Sequence, residues 1–405
     1  MTSQRSFLTV LATNGFSEIV QKLSRIAVVV AVARVMEPEA IGLAAAAIAA
    51  GDILKSLTEN GVVQRIISAS ERDLPGVIRT GHRLFTMWCV GLFLTQCILA
   101  AGIWAWTGGF IVPLLIALLA LEYLAMPAGI VSCALAMRAG KLTGTATVAG
   151  SQVVLANLLT AALAFVWPSP FALILPRVLT APIWLVGMRR LHPHTIDVSA
   201  AKAPVRPFVG FGAWVLGSEV VKSLRLQADK LLIGALLGAE ALGIYFFAFN
   251  AGLSLATSAS IAFSRVVYPR IATAANRSKA AKEAVWLATL VTTPVILLQA
   301  VLAPYYVPIL FGQNWAFISP TVSILCLAAI PSMLWAGTAQ WLRAENRAGN
   351  EFNVTLAMTV ALLLSTWLLA PHGIEAIAWG YLLVSTVIQI AASLPLILPN
   401  APRKV

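Results

Sequence analysis

FGAWVLGSEVVKSLRLQADKLLIGALL, residues Phe211–Leu237, is apolar at both ends and charged in the middle. Its centre carries Glu219, Lys222, Arg225, Asp229 and Lys230. At 100° per residue, Glu219, Lys222, Arg225 and Asp229 fall within an arc of about 120° on one helical face. Ionisable groups at membrane depth are costly and rarely face lipid. They point into a bundle interior or a wet cavity, where they mark a functional site or lock helices together. A whole stripe on one face favours the first meaning over the second.

Outward from this stretch, the rest of the chain is of one kind. Of 405 residues, 59% are hydrophobic and 11% charged, and the mean hydropathy is +0.86. A soluble domain carries roughly 25% charged residues, so this composition is that of a polytopic, all-α membrane protein. The net charge of +12 does not point to nucleic acid, because the cations sit mostly in short gaps between apolar runs. Cys89, Cys97, Cys133 and Cys326 lie inside apolar runs without metal or disulfide spacing. No HExxH or P-loop pattern occurs, so no metal, cofactor or nucleotide site is expected. The first apolar run carries Glu18, Lys22 and Arg25, unlike the clean apolar region of a cleavable signal.

About twelve spans of roughly 20–28 residues are expected, six on each side of a polar linker at 191–207. This gives an N-terminal lobe over 1–190 and a C-terminal lobe over 208–405. Alternate gaps are rich in cations: Arg72, Arg79 and Arg83, then Arg138 and Lys141, then Arg189, Arg190, Lys202 and Arg206. The series continues through Arg270, Arg277, Lys279 and Lys282 to Arg343 and Arg347. The other gaps are short and nearly free of cations, which places both termini in the cytoplasm. Trp104, Trp106, Trp167 and Trp315 are expected to mark the outer interface.

The two halves read as repeats. Glu39-Ala-Ile-Gly42 and Glu240-Ala-Leu-Gly243 are offset by 201 residues, as are Gly51 and Gly252, and Glu18 and Glu219. Lys22 with Lys222, and Arg25 with Arg225, follow at an offset of 200. Six spans per half give parallel repeats, related by an axis along the membrane normal.

Several of these segments resemble a known family. Ala33–Leu43, Ala228–Tyr245 and Ser264–Arg270 resemble motifs of polysaccharide biosynthesis proteins. Together with the span number and two-half layout, they make the chain similar to Wzx-type oligosaccharide-lipid flippases of the MOP superfamily. The thirteenth and fourteenth spans of longer relatives have no counterpart here. The resemblance implies a two-lobed MOP/MATE-like fold in the bacterial inner membrane. It also implies flipping of an undecaprenyl-pyrophosphate-linked oligosaccharide for O-antigen, capsule or exopolysaccharide synthesis, with no catalytic residues. H+ or Na+ is the candidate coupling ion, and a polysaccharide polymerase is a candidate partner.

The residues suit such a substrate. Lys22, Arg25, Lys55, Arg177, Lys222 and Arg225 are the candidate pyrophosphate ligands, since arginine binds phosphate bidentately and lysine as a point charge. Asn250, Ser254, Thr257 and Ser258 are candidates for sugar hydroxyls. Glu18, Asp52, Glu59, Glu122, Glu219 and Asp229 match the cations in number, so some are salt-bridge partners and others could carry coupling protons. The alternative reading is a MATE-like, ion-coupled antiporter of organic cations, for which an acid-dominated cavity would be expected.

Overall fold

The computed structural model describes residues 24–59, 61–197 and 199–397, and these contain helices and no strand. A helix satisfies its own backbone hydrogen bonds, which lipid cannot do, so this is the fold class that the composition demands. The first helix, α1, is described over 24–35. It is followed by α2 (Pro38–Ser56), α3 (Val62–Ser68), α4 (Leu74–Thr107) and α5 (Ile111–Ala120). Then come α6 (Glu122–Arg138), α7 (Leu142–Val166) and α8 (Phe171–Leu191). The long α9 (Arg206–Ala272) is interrupted at Gly238, whose φ of 88° and ψ of 178° are outside helical geometry. A side chain would be strained there, so glycine ends one span and starts the next. The remaining helices are α10 (Arg277–Phe311), α11 (Ser319–Leu327), α12 (Ala329–Ala344), α13 (Ala348–Leu369) and α14 (Ile374–Ile397).

Among the described residues, nine segments are long and apolar enough to cross a membrane. One of them, Glu219–Ser254, straddles the break at Gly238. The expected first span lies partly outside the described residues, and the second is divided into α2 and α3 by Gly61, at φ 79°. Large apolar side chains such as Ile98, Val301 and Val387 are exposed, as a lipid-facing surface requires. Trp104, Trp106 and Trp167 are exposed too. Trp315 departs from the expected aromatic belt: it is buried, stacked on Phe247 at 4.5 Å between ring centres. It caps an apolar cluster because the turn Gln313–Ile318 folds inward.

The chain divides into two compact units, Met1–Ser223 and Leu224–Val405. The start of α9 belongs to the first because it packs there. Phe208 joins the core of Ile66, Phe85, Cys89, Tyr123 and Val131, and the Ser223 hydroxyl donates to the Asp52 carbonyl at 3.2 Å. In the second unit Val285, Trp335, Trp341 and Leu342 form a comparable core.

Each unit repeats a device that the sequence does not announce. In one span the hydrogen-bond ladder, though not the helical backbone path, is cut at a single residue: Leu121 between α5 and α6, and Ala328 between α11 and α12, both with helical angles. At both cuts the backbone tightens to a three-residue turn, Leu121 N–H donating to Leu118 and Ala328 N–H to Leu325. Next to the first cut, a β-carbon on Gly51 would meet Leu119 and Gln96. Next to the second, one on Gly252 would meet Val322 and Leu325, and Gln299 donates to the Gly252 carbonyl. Both glycines thus sit against the helix that carries the cut.

Candidate functional site

The cut at Leu121 places Glu122 at the first position of α6, buried at mid-span. A buried carboxylate must be matched by cations and donors. Arg177 from α8 supplies one, its Nε lying 3.3 Å from Glu122 Oε1. The same guanidinium reaches Asp52 of α2 through Nη2 at 2.8 Å. Lys55, one turn after Asp52 on α2, forms the second ion pair to Glu122. Two acids and two bases from three helices therefore close on one another, with Arg177 as the fork between the carboxylates. A neutral network borders them: Tyr123 donates to Gln96 Oε1 at 2.9 Å, and Gln96 Nε2 donates to the Ile116 carbonyl at 2.7 Å.

Further along the unit, Lys222 pairs with Glu219 at 2.6 Å, three residues apart on α9. Arg25 is exposed on α1, with no ion pair or hydrogen bond among the described residues. Lys22 and Glu18 lie outside the described residues.

The second unit has a smaller charged cluster. Asp229 and Lys230 are both buried, and Lys230 Nζ lies 3.4 Å from Asp229 Oδ1. Tyr245 donates from its hydroxyl to Asp229 Oδ2 at 3.0 Å. Lys230 also donates to the Leu226 carbonyl and stands 4.2 Å above the Phe249 ring. Phe249 meets Tyr381 edge-on at 5.7 Å, and Arg225 lies within electrostatic reach of Tyr381. Arg225 is half-buried and has no ion pair among the described residues.

The structure thus brings Asp52, Lys55, Glu122 and Arg177 together, and pairs Glu219 with Lys222. Asp229 finds its partners locally. Of the expected sugar contacts, Asn250 donates to Phe246 and Thr257 to Leu253, each at 2.8 Å on its own helix. Ser254 is half-buried, and the Ser258 side chain lies outside the description. Sequence reasoning missed Gln96, Tyr123, Tyr245, Phe249 and Tyr381. A lone glutamine in the apolar run of α4 was the available signal. Among the described residues, no cluster of histidine, cysteine or acid is placed to hold a metal.

The fold is shared with solved structures of MOP superfamily members. An inward-facing MATE family multidrug transporter of that superfamily matches with a TM-score of 0.72, covering 93% of both chains at 15% identity. The lipid II flippase MurJ, inward closed, matches with a TM-score of 0.78, covering 96% of this chain and 87% of its own at 11% identity. The chain belongs to the polysaccharide biosynthesis protein family, whose model matches residues 31–320. Among relatives, the lipopolysaccharide biosynthesis protein WzxC of Escherichia coli is 22% identical over 91% of this chain and 76% of its own. The teichuronic acid biosynthesis protein TuaB of Bacillus subtilis is 27% identical over 50% of this chain, and that match spans 43% of TuaB. The amylovoran biosynthesis protein AmsL of Erwinia amylovora is 27% identical over 39% of this chain and 42% of its own.

Proposed function

We propose that this protein moves an undecaprenyl-pyrophosphate-linked oligosaccharide from the inner to the outer face of the bacterial cytoplasmic membrane. The polymer so built is an O-antigen, capsule or exopolysaccharide. The observation that carries this reading is the polysaccharide biosynthesis family match over residues 31–320 on a transporter fold.

The ion pairs sharpen which cations could meet the pyrophosphate. Lys55 and Arg177 are held by Glu122 and Asp52, and Lys222 by Glu219. Arg25 and Arg225 keep their forks free of acids among the described residues. Each can offer a bidentate contact to phosphate oxygens without first breaking a salt bridge to any described residue. The Asp52–Lys55–Glu122–Arg177 cluster then acts as an internal brace, opened only if substrate or a coupling H+ or Na+ exchanges for one member. Both termini face the cytoplasm in this account. A polysaccharide polymerase takes up the flipped product on the far side.

The test is surface polymer in a strain lacking its own flippase, normalised to membrane-inserted protein. Wild type restores polymer; Arg225→Ala inserts normally and restores little; Arg225→Lys recovers part. Normal export by Arg225→Ala at normal protein level contradicts the phosphate contact. Tolerance to organic cations in place of polymer would favour the MATE-like antiporter, although the equal count of acids and bases in the cluster argues against a cation-binding cavity.

A further inference from the structure

The first unit holds a second polar site, far in sequence from the charged stripe. A cavity of about 510 Å³ opens at the end of the unit that carries Arg72, Arg138, Lys141 and Arg190. That volume is in the range of small-ligand sites. Leu74, Ile78 and Leu135 form its apolar floor, and the segment after α8 supplies His192, His194 and Asp197 to its wall.

That segment is tied down. The Arg79 guanidinium donates to the Ala200 carbonyl at 2.6 Å, and the Thr80 hydroxyl to the Ala203 carbonyl at 3.1 Å. A β-carbon on Gly76 would stand 2.4 Å from the Ala201 oxygen, so the close approach needs glycine. Ile196 packs onto the core. The wall is therefore anchored at Ile196 and again at Ala200, Ala201 and Ala203.

Two of those groups are unfilled. His192 Nδ1 and His194 Nε2 are buried and have no hydrogen-bond partner. Buried polar atoms are almost always paired, so each such atom calls for an explanation. The other charged groups are already engaged. Arg138 donates to the Ile67 and Ala69 carbonyls at 2.8 and 2.6 Å, and to Glu71 at 2.6 Å. Asp197 accepts from the Ser199 N–H and hydroxyl at 2.8 and 2.6 Å. Lys141 donates to the Leu191 carbonyl at 2.9 Å. The carboxylates thus have their donors, and one nitrogen of each imidazole has no partner.

We infer that this cavity is a binding site for a phosphate group on an apolar or sugar body, held by His192 and His194. Neutral imidazoles each offer one donor, and protonated ones offer two donors and a charge. Burial, then the neighbouring imidazoles of His192 and His82, hold the His194 pKa below the usual histidine value. The charged groups facing the pair are Arg138, Glu71 and Asp197, with His82 and Arg189 behind and Arg79 beside Asp197. A bound anion would draw a proton onto His194, so binding and proton uptake are coupled. The apolar floor accommodates the ester's body. Two sources carry this chemistry, an anionic lipid headgroup and a soluble phosphate ester.

The experiment is calorimetric titration of the full-length protein in neutral detergent with inorganic phosphate and with glucose 1-phosphate, at pH 6 and pH 8. Parallel samples in nanodiscs are assayed with and without phosphatidylglycerol. We expect saturable binding about tenfold tighter at pH 6, with net proton uptake seen in buffers of different ionisation heat. Soluble ligand binding in detergent that phosphatidylglycerol suppresses identifies the lipid headgroup; no suppression identifies the soluble ester. The His192→Gln/His194→Gln variant should bind at least about tenfold more weakly at pH 6 and lose the pH dependence. If that variant does not fold, His194→Gln alone carries the same expectation. Absence of saturable binding by any probe, or unchanged binding in the glutamine variants, overturns the inference.

Discussion

The cut at Leu121 and the cut at Ala328 are the same backbone device in two different chemical settings. Around Leu121, a buried acid is neutralised by an arginine fork and a lysine. Around Ala328, dipoles do the work: Ser332 donates to the Ala328 carbonyl at 2.8 Å, and Thr338 to Ser393 at 3.0 Å. Gln389 reaches Met358 Sδ at 3.4 Å there. In the second unit, Tyr381 of α14 sets an aromatic ring against Phe249. A shared break therefore fixes the backbone and leaves the chemistry to side chains. The first unit depends on charge balance, because its acids and bases cannot lose one member without stranding another. The second depends on packing and hydroxyl contacts, whose loss is local.

The largest contrast should come from Arg177. Arg177→Leu leaves Glu122 and Asp52 without their shared fork and should cost about 3–5 kcal/mol, lowering the melting temperature in detergent and the inserted protein level. Adding Glu122→Gln and Asp52→Asn should recover most of that. If Arg177→Leu is harmless, the first unit does not rest on charge balance.

The paired glycines sharpen the comparison at smaller scale. Gly252→Ala drives a β-carbon to 3.1 Å from the Val322 carbonyl oxygen, which is backbone and cannot rotate away. It should cost about 2 kcal/mol. Gly51→Ala meets the Leu119 Cδ1 at 3.0 Å, a side-chain end that can turn, and should cost less than about 1 kcal/mol. Thermal unfolding of the two variants checks the order. Equal costs would mean that the second unit gives way as easily as the first.

The smallest contrast lies in the two buried tyrosines. Tyr245→Phe removes a donor from the Asp229 carboxylate and should cost about 1.5 kcal/mol, whereas Tyr123→Phe removes one from an amide and should cost about 1 kcal/mol. Denaturation by a graded detergent series can resolve that order; a reversed order would mean that Lys230 alone satisfies Asp229.

Much of this was legible in the sequence, for reasons that differ by residue. Apolar run length and the alternating cation-rich gaps gave the helical membrane class directly. Gly238 marked a turn between two spans, whereas Gly61 sits inside the apolar run expected as one span; only glycine adopts either set of backbone angles comfortably. Helical spacing put Glu219 and Lys222 on one face, but their ion pair itself came only with the structure. The cuts at Leu121 and Ala328 were hidden, since neither position carries glycine or proline. The partners of Glu122 were hidden because α2, α6 and α8 are brought together only by tertiary packing. Asp229 and Lys230 are neighbours in sequence and about 100° apart on a helix, so their pairing requires the lysine stem to curl back. The aromatic belt misled at Trp315, because an inward-folded turn competes with the interface for the same ring.

The most direct measurement is exposure of lipid-linked oligosaccharide on the outer face of sealed spheroplasts, read with an impermeant lectin, with and without the protein. The account predicts that outer-face signal rises with wild type and stays near the protein-free level with Arg225→Ala inserted in equal amount. Outer-face signal that does not depend on the protein would contradict it.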